Sequence, residues 1–204
     1  MIGDVPIASR ERQILRKAID AFAAHGVRGT SLRDIARDAQ VSLTLISHHF
    51  GNKSSLVAAA AAQVRRTCGP ALGRLRASLE WASAHDSRQI VAAWIDYLED
   101  AFGSNETLPL LRLLHRLRSD PAVEPAVRAS LDMAEPEIRR ALRSAFPRAC
   151  EASIDLVLQA SRGVLFDAFI DNRIGRPGEP LDRAAWRASL ADYVSAGMAA
   201  TLNA

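Results

Sequence analysis

Apolar residues recur at spacings of three and four along most of the chain, and no run of alternating β-branched residues is framed by turn residues. That period is helical, so the expected fold class is all-α. Breaks fall at 26–29, 39–42, 51–52, 69–70, 85–86, 103–104, 120–121, 147 and 175–180. They divide the chain into about nine helices of ordinary length. The first is expected from Ser9 to Ala24, with Ile14, Leu15, Ala18, Ile19 and Phe22 on one stripe and Arg10, Arg12, Arg16, Lys17 and Asp20 mostly off it. Gly26 ends it as a C-cap. Thr30 or Ser31 then caps a short helix from Leu32 to Asp38, which turns Leu32, Ile35 and Ala36 inward and Arg33 and Arg37 outward. After Ala39, Gln40 and Val41, Ser42 caps a third helix from Leu43 to His49, which Phe50 and Gly51 stop. Two helices of about seven residues joined by so short a turn make a helix-turn-helix, whose second helix enters the DNA major groove.

Composition supports a folded chain with an uneven charge. Hydrophobic residues are 49% and charged residues 24% of the 204, which excludes wholesale disorder. The formal charge of +3 hides a split. Residues 1–68 hold ten basic and five acidic side chains, and residues 69–204 hold 16 and 18. A cationic first third on a slightly acidic remainder suits a polyanion-binding head on a body with another task. No uncharged run approaches the roughly 18 residues of a membrane span. The start, MIGDVPIASRERQ, lacks the apolar core of a secretory signal. Cys68 and Cys150 match no metal or redox spacing. A cytoplasmic chain with reduced thiols is expected.

The stretch QILRKAIDAFAAHGVRGTSLRDIARDAQVSLTLISHHFGNKSSLV resembles the DNA-binding domain of TetR-like (TetR/AcrR) transcriptional regulators. Phe22 and Gly26, Thr30, Ile35–Ala36, Val41–Ser42, His49–Phe50, Asn52–Lys53 and Leu56 carry the likeness in combination. Three departures stand out. Gln40 occupies a position where glycine is usual, Ser47 one where an aromatic residue usually touches a phosphate, and Leu43 and Leu45 positions that are often polar. The resemblance implies a helix-turn-helix head over residues 1–53, with the fourth helix continuing to about residue 68. By the same resemblance, residues 54–204 are expected to form a helical ligand-binding and dimerisation body.

On that resemblance the chain is a homodimeric, ligand-responsive repressor of a palindromic double-stranded DNA operator, and not an enzyme. Leu43, Thr44, Leu45 and His48, with Arg33, are the candidates for base edges; Thr30, Ser42, Ser47 and Lys53 are those for phosphates, and His49 either meets a phosphate or packs between helices. His48 and His49 are not a metal pair, because neighbours on a helix point about 100° apart and no Cys or carboxylate lies near. Neither cofactor nor metal is expected. Trp94, Tyr97, Phe102, Leu114, His115, Arg118, Met133 and Phe166 are candidates for an effector cavity. The last two helices, 151–172 and 181–203, are apolar over more than one stripe. They supply the expected dimer interface through Ile154, Leu158, Ser161, Leu165, Trp186, Leu190, Val194 and Met198. The alternatives are a helical enzyme and a protein-interaction module without DNA binding. No GxSxG, P-loop, HExxH or GxGxxG spacing speaks for the first.

Overall fold

The computed structural model describes residues 7–81, 86–174 and 182–203. Among these the secondary structure is helical: α1 (Ile7–His25), α2 (Leu32–Asp38), α3 (Leu43–Phe50), α4 (Lys53–Trp81), α5 (Ser87–Phe102), α6 (Leu108–Ser119), α7 (Pro125–Ala129), α8 (Glu135–Ala145), α9 (Glu151–Ile174) and α10 (Arg183–Leu202). No helix among the described residues is long and apolar enough to cross a membrane. The breaks expected at His85 and over 175–180, and the start of the last helix at Leu181, lie outside the described residues.

Two expectations about boundaries are corrected. The break at 69–70 is absent, because α4 runs through Pro70. Proline removes one helical hydrogen bond, but Cys68, Ala71 and Leu75 on either side of it are buried and hold the helix in place. The short α7 is an added element after Asp120, started by Pro125 at its first position.

The helices group into two compact units, residues 1–67 with 104–131 and residues 68–103 with 132–204. In the first, α1 packs on α2 and α6, and α2 packs on α3. Its core holds Ile14, Ala18, Phe22, Ile35, Ile46, Leu56 and Leu111. The first unit carries fourteen basic and eight acidic side chains, a net +6, and the second carries twelve and fifteen, a net −3. The charge split therefore widens when α6 and α7 are counted with the head. In the second unit α5 packs on α8 and α10, and α9 on α8 and α10, around Leu98, Phe102, Ile138, Leu142 and Leu165. Buried Glu137 is clasped there by Arg76, at 2.9 Å, and by Arg140. Burial raises its carboxyl pKa, but the two guanidiniums more than offset this and hold it below the usual range.

The two thiols differ in kind. Burial pushes Cys68 up to about 11, against a hydrogen bond with Tyr97. Cys150 is exposed, and a hydrogen bond with Ser153 lowers its pKa. A thiol reagent at pH 8 should modify the native chain once, at Cys150, and reach Cys68 only on unfolding. Peptide mapping of the labelled protein checks both positions.

Candidate nucleic-acid interface

The helix-turn-helix is built from short capped helices. Ser31 caps α2 with a reciprocal box: its hydroxyl accepts from Asp34 N–H at 3.2 Å, and its own N–H donates to Asp34 Oδ2 at 3.2 Å. Hydrogen bonds from Ser31 hold the Asp34 carboxyl below its ordinary range. Ser42 caps α3, its Oγ accepting from Leu45 N–H at 3.1 Å. Asn52 precedes α4 and its Oδ1 accepts from Ser55 N–H at 2.9 Å. Satisfying these otherwise orphaned donors contributes about 1 kcal/mol per cap.

Within α3 one side is committed to the core and the other is open. Ile46 is 1% exposed, whereas Leu43 is 39% exposed and Thr44, Ser47 and His48 are exposed beside it. At about 100° per residue, positions 43, 44, 47 and 48 span an arc of about 140° on one side of the helix. Ser42 is also exposed, and Leu45 and His49 are half-buried. The rings of His48 and His49 meet edge to face with centroids 5.3 Å apart. Arg33 is exposed on α2, and Lys53 stands half-buried at the first position of α4.

Thr30 is a correction. It is 3% exposed, and its hydroxyl donates to the carbonyls of Gly26, at 2.8 Å, and Ala21, at 3.2 Å. It is neither the cap of α2, which is Ser31, nor presented to an outside phosphate. Burial leaves it to tie the end of α1 to the loop.

Ion pairing differs between the units. In the second, Arg74, Arg76, Arg88, Arg139, Arg140, Arg143, Arg162 and Arg187 each face a carboxylate. In the first, Arg37 pairs with Asp34 and Asp38. Among the described residues Arg28, Arg33 and Lys53 have no carboxylate partner. Arg33, on the helix that packs on α3, and Lys53, at the start of the helix that follows it, carry no internal counter-charge and are available to an outside polyanion.

The expected interface residues fall mostly inside their own subunit. Ile154, Leu158, Ser161, Leu165, Val194 and Met198 are buried, because α9 packs on both α8 and α10. Leu190 is half-buried, and half-buried Trp186 meets Phe169 edge to face at 5.3 Å. The apolar residues turned outward are others: Leu156 is 59%, Val164 36% and Tyr193 71% exposed. Of the effector candidates, Trp94, Tyr97, Phe102 and Phe166 are buried and Met133 half-buried in the second unit. Leu114 is buried and His115 and Arg118 half-buried in the first, where Arg118 Nη1 donates to Leu131 O at 3.4 Å. Two clefts of about 550 and 540 Å³ are lined by other side chains, the first by Arg12, Leu15, Arg16 and Leu110 and the second by Arg88, Ala92 and Arg187, among others.

Residues 14–60, which hold every element of the helix-turn-helix, match the family model for bacterial regulatory proteins of the tetR family. The match spans the head and leaves the rest of the chain outside it. The chain is 34% identical over 133 residues to the HTH-type transcriptional regulator BetI of Agrobacterium fabrum, covering 58% of this chain and 64% of that one. BetI of Burkholderia mallei is 26% identical over 188 residues, 91% of each chain. The first curated relatives are thus matched over less than two thirds of their own length. A solved structure from Shewanella sp. PV-4 with a tetR-family designation superposes with a TM-score of 0.64 at 21% identity. It covers 92% of this chain and 97% of that one, and shares the all-α fold.

The turn between α2 and α3 holds backbone strain at Gln40 that a glycine would avoid. That residue adopts φ 53°, the sole positive φ outside glycine among the described residues. A left-handed backbone costs a residue with a Cβ roughly 1 kcal/mol. Gln40→Gly should therefore raise the thermal midpoint by about 2–4 °C if the chain melts as one unit. Calorimetry reads this directly, and a lowered midpoint would mean that the Gln40 side chain contributes more than its strain costs.

Proposed function

We propose that the protein is a homodimeric transcriptional regulator, a repressor released from a palindromic operator by a small-molecule ligand. The carrying observation is the exposed side of α3, with Arg33 on α2 and Lys53 at the start of α4 beside it and neither meeting a carboxylate among the described residues. We place the functional boundary at 53/54, with a DNA-reading head before it and a ligand-binding and dimerisation body after it. Leu43 would sense a thymine methyl, Thr44 and His48 would meet base edges, and Leu45 would pack at the groove wall. Arg33 would take guanine O6 and N7 together, adding roughly 1–3 kcal/mol of discrimination. Ser42, Ser47, His49 and Lys53 would hold the phosphate backbone. Ser42 spends a lone pair on its cap and keeps its O–H for an outside acceptor.

Reading successive major grooves needs two copies of α3 about 34–36 Å apart. The outward faces of α9 and α10 suit a second copy. Leu156, Val164 and Tyr193 expose apolar surface, and a Cβ at Gly163 or Gly197 would meet nothing of its own chain within 4 Å. Small residues there would let helices of a partner approach closely. An effector held among Trp94, Tyr97, Phe102, Met133 and Phe166 of the second unit would shift the balance between two spacings of the heads. A tenfold loss of operator affinity requires it to favour the released state by about 1.4 kcal/mol. Such a regulator works where its DNA is, in the cytoplasm.

Lys53→Ala should weaken operator and non-operator duplexes alike and flatten the dependence of log K on log salt by about one unit. Fluorescence anisotropy across a salt series measures it. A lost sequence preference with an unchanged slope would remove Lys53 from the phosphate contacts, and indifference of the wild type to duplex at low salt would sink the whole reading.

Leu156→Glu with Tyr193→Glu should halve the scattering mass while leaving the helical signal intact. A dimeric mass in that double variant would move the interface elsewhere. Leu158→Glu and Leu165→Glu serve as contrast, since a charge at those buried sites should unfold the second unit itself.

A further inference from the structure

Gln13 of α1 reaches across 26 residues of sequence to the turn that aims α3. Its Nε2 donates to the carbonyl of Ala39 at 2.9 Å. Ala39 is the C-cap of α2, is fully buried, and immediately precedes Gln40 with its left-handed backbone. The N–H groups of the turn are met locally: Ala39 donates to Ile35 O, Gln40 to Arg37 O and Val41 to Ala36 O. Among the described residues the loop backbone offers no donor to Ala39 O, and Gln13 supplies it.

The Ala39 carbonyl and the Gln40 N–H belong to one rigid peptide plane. Its nitrogen end is held by Arg37 O at 3.0 Å and its oxygen end by Gln13. Rotating that plane changes ψ of Ala39 and φ of Gln40 together, and those two angles set the direction in which the chain leaves α2 for α3. We infer that Gln13 is a positioning residue for DNA reading, which fixes the angle of α3 by pinning this plane to α1. The anchor is firm at its own end, because the neighbouring Ile14 is fully buried and α1 packs on α6 as well as α2. The inference rests on the DNA-binding reading above. It adds a residue that need not touch the duplex and a route by which a shift of α1 would reach the recognition helix.

The test compares full-length variants on two probes: the duplex that the wild type selects from a random pool, and a scrambled duplex of equal composition. Gln13→Met keeps the length and removes the donor. It should lower the affinity ratio of selected over scrambled duplex about tenfold, with scrambled-duplex affinity near wild type. Gln13→Lys restores an N–H donor and should recover the ratio, though its charge strengthens both complexes. Thr30→Val removes the other tie between α1 and the loop, two hydrogen bonds to Gly26 O and Ala21 O. It should lower the melting midpoint and leave the ratio alone. A wild-type ratio in Gln13→Met, or an equal loss in Thr30→Val, overturns the proposal. Amide exchange in the free protein gives a readout without DNA: Gln40 N–H should exchange about tenfold faster in Gln13→Met while Ile35 is unchanged. Unaltered exchange there also overturns it. A wild type that selects no duplex is a different failure, that of the DNA reading, and shows itself before any variant is made.

Discussion

Helices of seven and eight residues do not persist alone in water, where even good sequences need about 12–15 residues. That constraint governs the first unit. α2 and α3 exist because Ile35 and Ile46 are buried in a core that α1 furnishes with Ile14, Ala18 and Phe22. Fully burying each large side chain is worth about 1.5–3 kcal/mol, several times the strength of any surface pair on these helices. One inward residue per turn suffices to hold α3, which leaves its other side free of structural duty. The surface offered to a duplex is what remains once the core has taken its minimum.

The electrostatics follow the same division of labour. Eight arginines of the second unit are met by carboxylates, two of them by more than one: Arg139 faces Glu135, Glu151 and Asp155, and Arg187 faces Asp96 and Glu99. Exposed pairs of this kind stabilise little individually. Their effect is to cancel the field of that unit at short range. In the first unit the excess of cations is not cancelled, so its field extends outward and attracts a polyanion until salt screens it beyond roughly 8–10 Å. A chain whose net charge is only +3 can therefore carry a strongly cationic face.

What the sequence made legible was local. The spans of α2 and α3 follow from the period of apolar positions and from the hydroxyls at Ser31 and Ser42, both within a turn of the residues they cap. The exposure of Thr44 and His48 follows from the same period, whereas Leu43, three residues before Ile46, is turned outward against it. Thr30 and Ser31 stand side by side, and the period of apolar positions does not rank them; the packing of α1 against the loop sends Thr30 inside. The capping box had a readable signal in Ser31 and Asp34 three residues on. Faces of α9 and α10 were not readable, because a helix apolar on two sides does not say which side meets its own body. Leu158 and Leu165 turned inward, and Leu156 and Tyr193 outward. The grouping of α6 with α1 and the bond from Gln13 to Ala39 join residues far apart in sequence, and no periodicity announces either.

Gln40 and Gln13 are best understood together. A glycine after Ala39 would enter the left-handed region without strain but would also populate many other backbone states. Glutamine is strained there, yet its Cβ closes most of those alternatives and leaves the turn fewer ways to open. The hydrogen bond from Gln13 acts on the same peptide plane from the other side and selects one of the few that remain. Stability and direction are then separate properties of this turn. A substitution that relieves the strain gains the first and loosens the second. A glutamine thus does at position 40 what glycine does not: it restricts the turn, provided that α1 holds the carbonyl beside it.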